Sequence, residues 1–345
     1  MDLSDRPSLD QMLLNDWQRD FPLETAPFDA IARSCCSDAD TVLSTYRTLM
    51  TEGSISRIGG VWGAGAGGAA MLCALAVPPE RLAHVADIVN ALEGVNHNYE
   101  REHHYNLWFV VTGLDQVDIH TQVDQIETQS GLTALRLPMV RPYRIDLGFD
   151  LRQTLTQAHP GEPCSRTHRR VPAVLSEERP LATLVEAGLP LTTHPYRAWA
   201  HQLAWTETQV LDTLRRWQRQ GTLRRFGAIV RHHDLGIRAN AMTVLDVPDA
   251  EVDAAGRRMA SQPGITLCYR RQRHPNWPFN LYFMVHGQCR DAVQQAIDTA
   301  VNQAGIAHLP RQSLFSGQRF KQTGGRYFSR ATQPLPQEIA CAELT

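Results

Sequence analysis

The sequence predicts an α+β fold written twice, a tandem repeat in which each copy carries a winged helix-turn-helix followed by a ferredoxin-like β-α-β-β-α-β unit. Three observations predict it. "SRIGGVW" at 56–62, which follows Gly53, recurs as "RRFGAIV" at 224–230 after Gly221. "NYEREHHYNLWFVVTG" at 98–113 recurs as "CYRRQRHPNWPFNLYFMVHG" at 268–287. The offset, about 170 residues, is the length of a domain pair and far exceeds a solenoid unit. It can be followed from Phe21-Pro22-Leu23 on Leu189-Pro190-Leu191, through Pro27-Phe28 on Pro195-Tyr196, to Gly53 on Gly221. With a drift of a few residues, Tyr99 and Arg101 then fall on Tyr269 and Arg271, Asn106 on Asn280, and Leu137-Pro138 on Leu309-Pro310.

Leu9, Met12, Leu13 and Trp17 stand at helical spacing and predict a helix over 8–19, with further helices over 27–34 and 38–52. Ser37 with Asp40 marks the third helix start, and Gly53 supplies a stop that tolerates positive φ. "SISRIGGVW" then alternates like the first strand of a wing. Copy two repeats this as helices 180–187, 196–203 and 206–220, ended by Gly221, and strand 223–230. The other half of copy one reads as strand 69–77, helix 79–92, strands 95–101 and 105–113, helix 115–128 and strand 133–141. Its partner in copy two reads as 239–247, 249–261, 264–271, 279–287, 289–303 and 305–313. Such a unit has helices on one sheet face and leaves the other free, so two of them would close a central cavity. The expected boundaries are helix-turn-helix 1–62, ferredoxin-like domain 63–150, linker 151–178, helix-turn-helix 179–232, ferredoxin-like domain 233–330 and tail 331–345.

Composition is that of an ordinary globular protein: 345 residues, 43% hydrophobic and 20% charged. The formal net charge of −2 argues against a protein that coats nucleic acid. No apolar run reaches the about 18 residues of a membrane span, and the N-terminus has no apolar signal region, so the expected compartment is the cytoplasm. The cysteines at 35, 36, 73, 164, 268, 289 and 341 show no CxxC pairing and are odd in number. That pattern points to reduced thiols and to no metal site of the protein's own.

The layout of winged helix plus ferredoxin-like domain resembles the Lrp/AsnC regulators. Within that superfamily three segments are similar to the siroheme decarboxylases: "NHNYEREHHYNLWFVVTG", "RRFGAIVRHHDLGIRANAMTVLDVP" and "FSGQRFKQTGGRYF". Copy one is similar to the NirD type, copy two to the NirL type, and the resemblance spans about 10–155 and 180–330. It implies loss of carbon dioxide from the C12 and C18 acetates of siroheme, giving 12,18-didecarboxysiroheme on the way to heme d1. It implies no added cofactor, since the iron belongs to the substrate, and either a homodimer or NirG- and NirH-type subunits as partners. The chemistry asks a protein to anchor carboxylates, orient one acetate, exclude water and supply a proton.

Arg101 and Arg271 suit the anchoring, because a guanidinium offers a charged planar fork to a carboxylate; Arg270 and Arg273 stand beside them. The alternative for each is a strand-end arginine paired with Glu100 or Glu102. His103, His104 and His274 occupy the turns before strands 105–113 and 279–287. An imidazole there donates a proton, neutralises a carboxylate, ligates the siroheme iron, or is a plain surface histidine. Tyr99 and Tyr269 precede the arginines by two residues and share their strand face, as carboxylate partners or as core. Asn106 and Asn280 either bond the substrate or tie the turn, and Trp108 and Tyr282 read as sheet packing. Arg231, His232 and His233 follow the copy-two wing in a hinge region where they would contact a substrate at the domain junction; copy one has instead "GAGAGG", a loop that bends freely and admits bulk. Arg319, Lys321 and Arg326 form a last basic cluster, which holds propionates or solvates a tail.

Two other function classes fit the same architecture. A tetrapyrrole-responsive DNA-binding regulator needs phosphate-binding side chains on the third helix. Helix 38–52 offers only Arg47, against Arg215, Arg216 and Arg219 on helix 206–220. A siroheme carrier without turnover needs the same anchors as an enzyme, and only product analysis separates the two.

Overall fold

The computed structural model describes residues 7–63, 65–145, 171–230 and 239–328. The first helices are α1 (Leu9–Asn15), α2 (Pro27–Cys35) and α3 (Ala39–Thr51), matched in copy two by α6 (Arg179–Ala187), α7 (Pro195–Leu203) and α8 (Glu207–Gln220). Local chemistry sets their ends. Ser8 closes a capping box with Gln11, and Thr206 does the same with Gln209. Asp38, between the two residues expected to start α3, accepts the Thr41 N–H at 2.8 Å. Gly53 at φ +85° and Gly221 at φ +79° follow the third helix of each copy. Helix α1 stops at Asn15 instead of running to 19, because the Trp17 carbonyl accepts from Ala228 N at 2.8 Å and Asp20 turns the chain at φ +52°.

The wing strands β1 (Ile55–Trp62) and β6 (Leu223–Val230) differ from expectation in their partner. Neither closes a hairpin in its own copy; they pair antiparallel with each other, Ile58 opposite Ala228 and Gly59 opposite Gly227. Reciprocal backbone bonds, Phe21 N to Phe226 O at 3.2 Å and Leu189 N to Ile58 O at 2.7 Å, repeat the exchange. One core therefore serves both helix-turn-helix halves, with Phe21, Phe28 and Tyr46 of copy one packed beside Tyr196, Trp199, Trp217 and Phe226 of copy two. The two expected helix-turn-helix domains are one body. Val174, inside the expected linker, is buried in that core, and Glu178 binds Arg216 and accepts from Trp217 Nε1 at 3.0 Å.

The other body is a closed eight-stranded barrel. Copy one supplies β2 (Ala69–Leu75), α4 (Leu82–Ala91), β3 (Val95–Arg101), β4 (Leu107–Gly113), α5 (Gln116–Ser130) and β5 (Leu135–Ile145). Copy two supplies β7 (Ala239–Leu245), α9 (Val252–Ala260), β8 (Ile265–Arg271), β9 (Leu281–Gly287), α10 (Arg290–Gln303) and β10 (Arg311–Gln322). The order around the barrel is β10-β3-β4-β2-β5-β8-β9-β7. Two long strands make the seams. Residues 135–138 of β5 pair with β2 and residues 139–145 with β8; residues 311–315 of β10 pair with β7 and residues 316–322 with β3. Closure thus removes the free edges that two separate sheets would expose.

The last strand of copy two is displaced from the expected 305–313. Helix α10 ends at Gln303, Gly305 turns at φ +68°, and the strand begins at Arg311. Met139 lies opposite Arg271 and Ser316 opposite Arg101, so Leu314, and not Leu309, is the counterpart of Leu137. The Leu-Pro match was a coincidence of composition. Helices α4 and α5 cover the copy-one half over Val85, Val89, Ile119, Val123 and Ile126, while α9 and α10 cover the other half over Val252, Met259, Val293 and Ile297.

Helix α9 seats on the crossing strand: a Cβ at Gly256 would lie 2.2 Å from Tyr143 Cε2, and Tyr143 donates its hydroxyl to Asp253 at 2.5 Å. Gly256→Ala is expected to lose about 1–3 kcal/mol of stability by overpacking. Denaturant titration checks this, and an unchanged midpoint would contradict the packing.

Candidate active site

Strand alternation turns every second residue of β3 and β8 to the barrel interior. On β3 these are His97, Tyr99 and Arg101, with Tyr99 opposite Trp108 and His97 opposite Val110 of β4. On β8 they are Leu267, Tyr269 and Arg271, with Tyr269 opposite Tyr282 and Leu267 opposite Met284 of β9. The intervening Asn98 faces outward and donates to Asn90 Oδ1 at 3.0 Å and Ala86 O at 3.3 Å on α4. The interior is lined by Leu72, Trp108, Leu137, Met242, Trp277, Tyr282, Met284 and Leu314, so the expected cavity is in large part a packed apolar lining.

Into this lining project two buried guanidiniums. Arg101 is 7% exposed and Arg271 is 5% exposed. Each reaches across a seam to the carbonyl of the long strand: Arg101 Nη1 to Leu314 O at 2.9 Å, Arg271 Nη1 to Leu137 O at 2.7 Å. Arg101 Nη2 adds a 4.0 Å contact to Met284 Sδ, and the Nε of both arginines is buried without a hydrogen-bond partner. Among the described residues neither is paired with a carboxylate; Glu102 instead bonds Arg290, and Glu100 accepts from Gln318 N. Arg271 lies 4.6 Å from the Tyr269 ring centroid and 5.8 Å from that of Tyr282, and Arg101 lies 5.9 Å from Tyr99. Burial pushes the Arg101 pKa down to about 10, with Tyr269 and Tyr99 as its electrostatic neighbours; it stays charged near neutral pH. A buried cation without a counter-charge is costly, and an anion entering here would relieve it.

The other sequence-predicted residues fall in three places. The Asn106 amide accepts from Val77 N at 2.9 Å and donates to Val77 O at 2.8 Å; Asn280 does the same with Val247 at 3.0 and 2.9 Å. Both amides thus clamp the chain just past β2 and β7, as the fold-tying alternative expects. Arg270 and Arg273 point away from the interior: Arg273 binds Asp246 at 2.7 Å and Asp249 at 2.6 Å, and Arg270 binds Asp249 at 3.2 Å. Strand alternation separates Arg270 from Arg271, and Arg273 lies past the end of β8, so adjacency in sequence is not adjacency in the site. Arg231 and His232, with His233, lie outside the described residues.

The turn histidines sit at the barrel rim. His103 is half-buried, its Nδ1 accepting from Tyr105 N at 2.9 Å and its ring 5.2 Å edge-on to Trp277. Burial is the main cause that lowers its pKa, with His104 adding to it. His104 is exposed and packs on Tyr105, and His274 Nδ1 accepts from Asn276 N at 3.2 Å. The basic cluster is dispersed: Lys321 Nζ caps α4 through Asn90 O and Leu92 O, Arg326 pairs with Glu93, and Arg319 bonds Gln322.

Two interior residues were missed in the sequence. Trp277, from the longer copy-two turn "RHPNWPFN", donates Nε1 to Tyr282 Oη at 2.8 Å and packs against Trp108, Tyr105, His103 and Phe279 at 4.9–5.8 Å. His97 stands two residues before Tyr99 and so shared the period-two signal that marked Tyr99 and Arg101. It stacks on Tyr99 at 6.3 Å, bonds Asn96 Oδ1 through Nδ1 at 3.0 Å, and lies opposite Gln322, which accepts from Tyr99 Oη at 2.9 Å. Part of its ring stays accessible, yet burial pushes its pKa down to about 4.

A histidine whose folded pKa lies below its unfolded value of about 6.5 leaves the unfolded chain binding the extra proton between pH 6.5 and 4. Its neutral form therefore supports the fold above pH 6.5, and that support is lost as the pH falls through this window, by up to about 3 kcal/mol at about 1.4 kcal/mol per pKa unit. His97→Leu should flatten the acid limb of a stability-versus-pH curve; an unchanged slope would show that His97 is not buried neutral.

Comparison with known proteins places this geometry. A family model described as the siroheme decarboxylase NirDL-like HTH domain matches residues 10–55 and 178–224, and one described as the AsnC-like ligand binding domain matches 66–144 and 234–321. The siroheme decarboxylase NirDL subunit of Paracoccus denitrificans is 36% identical over 92% of this chain and 96% of its own length. The siroheme decarboxylase of Hydrogenobacter thermophilus is 28% identical over 94% of this chain and 96% of its own. A crystal structure of the siroheme decarboxylase NirDL in co-complex with an iron-uroporphyrin III analogue superposes with a TM-score of 0.67 at 26% identity, covering 93% of this chain and 95% of the other. With both helix-turn-helix halves and both barrel halves matched in their repeated order, the chain belongs to the siroheme decarboxylase NirDL family.

Proposed function

We propose that the chain is a siroheme decarboxylase that removes the carboxyl groups of the C12 and C18 acetates and yields 12,18-didecarboxysiroheme for heme d1 synthesis. The observation that carries the reading is the pair of buried guanidiniums, Arg101 and Arg271, held at equivalent places in the two copies without a carboxylate partner among the described residues. A substrate rich in carboxylates supplies the missing counter-charge, and the fork geometry of arginine favours that ligand.

In each step the bond between the acetate methylene and its carboxylate breaks. The electron pair stays on the methylene carbon, spread into the macrocycle, and a proton completes a methyl group. The protein's part is to hold the anionic rim on Arg101 and Arg271, to pack aromatic faces around the reacting arm, and to deliver that proton. Tyr99 and Tyr269 stand beside the arginines as hydroxyl partners. His103, His104 and His274 are the proposed proton carriers of the rim, and His97 adds an imidazole inside. The substrate brings its own iron, and the proposal adds no cofactor. A second copy of the chain, or NirG- and NirH-type subunits, are its proposed protein partners, and the cytoplasm its proposed compartment. Among the described residues no helix is long and apolar enough to cross a membrane.

The regulator reading loses support from the third helices. Arg47 of α3 donates to Leu191 O at 2.9 Å and Arg215 of α8 donates to Leu23 O at 2.6 Å, each capping the opposite copy. Arg216 is engaged by Glu178. Arg47 and Arg215 thus tie the two halves together, while Arg219 stays exposed.

Purified protein incubated anaerobically with siroheme should yield mono- and then didecarboxylated product by mass spectrometry. Unchanged substrate mass with a spectral shift would indicate a carrier, and a nanomolar operator complex a regulator. Arg101→Ala or Arg271→Ala should weaken siroheme binding and turnover together by about 10- to 100-fold, the worth of one charge-assisted contact. His104→Ala or His274→Ala should slow turnover more than binding. Full activity in all four variants would remove these residues from the site.

A further inference from the structure

The copy-two hairpin carries an insertion that copy one lacks. Arg101 and Asn106 enclose four residues, 102–105, whereas Arg271 and Asn280 enclose eight, 272–279. The added length folds back on itself. His274 N bonds Trp277 O at 3.0 Å and Trp277 N bonds His274 O at 2.8 Å, closing a tight turn over Pro275 and Asn276. Arg273 staples its base, donating Nε to Pro278 O at 2.8 Å and Nη2 to Val247 O at 2.6 Å and to Asp246 at 2.7 Å. The turn thus delivers one large side chain, Trp277, to the barrel interior, where it is 2% exposed.

Trp277 meets the copy-two anchor on one side. Its Nε1 donates to Tyr282 Oη at 2.8 Å, and the same hydroxyl donates to Phe279 O at 3.3 Å. Those two bonds fix the Tyr282 ring, which stacks on Tyr269 at 5.9 Å with 21° between the planes. The Arg271 guanidinium lies over both rings, 4.6 Å from the Tyr269 centroid and 5.8 Å from that of Tyr282, a cation–π platform for a buried charge. Burial pushes the Tyr282 hydroxyl pKa upward, so it stays protonated near neutral pH and serves as a bracket for the stack.

On its other side the same indole meets copy one. It lies 5.3 Å from Trp108 and, edge-on, 5.2 Å from the His103 ring and 5.8 Å from Tyr105. His103 Nδ1 accepts from Tyr105 N at 2.9 Å, which leaves the proton of the neutral ring on Nε2. Copy one presents no such bridge among the described residues. Trp108 stands where copy two has Tyr282, and it donates Nε1 to Tyr105 O of its own turn at 2.7 Å. Arg101 lies 5.9 Å from the Tyr99 ring and puts Nη2 4.0 Å from Met284 Sδ.

We propose that Trp277 is a positioning residue for the decarboxylation: it holds the Arg271 platform through Tyr282 and braces His103, so that the carboxylate anchor of one copy and the rim imidazole of the other keep a fixed spacing. The inference rests on the siroheme reading above and deepens it. Proton delivery to the acetate methylene carbon is sensitive to geometry, since a misplacement of about 1 Å costs up to about 100-fold in rate. Anchoring alone is less so, because a guanidinium that swings still attracts a carboxylate. A loosened indole is therefore felt in kcat before KM.

The test is anaerobic siroheme turnover, followed by mass spectrometry, for Trp277→Phe, Tyr282→Phe and the double variant. Each single change keeps a ring and removes one end of the hydrogen bond. Gly256→Ala, on α9 and outside the interior, is the control for lost stability, with denaturation midpoints measured throughout. The expected result for either single variant is a kcat lower by about 10-fold with KM held within about 3-fold. The double variant should be no slower than the slower single one, because both changes remove the same bond. Unchanged kcat in both single variants, multiplicative losses in the double variant, or an equal loss of kcat in Gly256→Ala overturns the positioning role. A parent chain that binds siroheme without turnover, or does not bind it, overturns the decarboxylase reading itself, and the positioning role with it.

Discussion

The structure depends on the exchange of β5 and β10 between the two repeats. A β-α-β-β-α-β sheet covered by helices on one face leaves an apolar face and two hydrogen-bonding edges unsatisfied. Here each long strand finishes its own sheet with its first half and begins the partner sheet with its second, at Pro138–Met139 and at Phe315–Ser316. The chain closes into one barrel, and neither repeat can complete its interior without the other. The same reciprocity holds in the smaller body, where β1 and β6 have only each other as partners.

Closure is also what makes the arginines unusual. At the end of an isolated sheet Arg101 and Arg271 would be solvated. Inside the barrel each is buried against a seam carbonyl and a tyrosine face. Burying such a charge without an acid weakens a fold, and the arrangement makes sense where a ligand brings the acid. The seam strand that closes the barrel supplies the carbonyl that aims each guanidinium, so the architecture and the anchoring are one feature. The asymmetries lie around this symmetric pair: His97 against Leu267 on the ladders, and Trp277 in one hairpin turn only.

The helix-turn-helix halves carry the grammar of caps and glycine stops, and an arginine of each third helix is turned to the opposite copy. Arg47 and Arg215 spend their donors on the carbonyls of Leu191 and Leu23, matched residues of opposite copies. The body they weld carries Glu186, which accepts from the backbone N–H groups of Tyr327 and Phe328. Its structural work is therefore to bridge the repeats and to hold that segment against the barrel.

Much of this was legible along the chain, because local signals survive duplication: capping residues, glycine stops, apolar periods and the repeated Tyr-x-Arg placed most elements within a few residues and marked one face of β3 and β8. The same period would have included His97 had it been extended one step back. What sequence could not decide were the relations between elements distant along the chain. Strand pairing chose β6 as the partner of β1, shifted β10 past the Leu309-Pro310 match, and sent Arg270 and Arg273 to Asp249 while Arg271 went inward. The amide clamps of Asn106 and Asn280 and the close approach of Gly67 and Gly68 to Phe328 and Tyr327 depend on contacts with residues far along the sequence. Sequence by itself determined the duplication, the order of elements and the identity of the anchoring side chains, since these are written in local chemistry. Only the tertiary structure decided which anchors are desolvated, because burial exists only once the two copies have closed on each other.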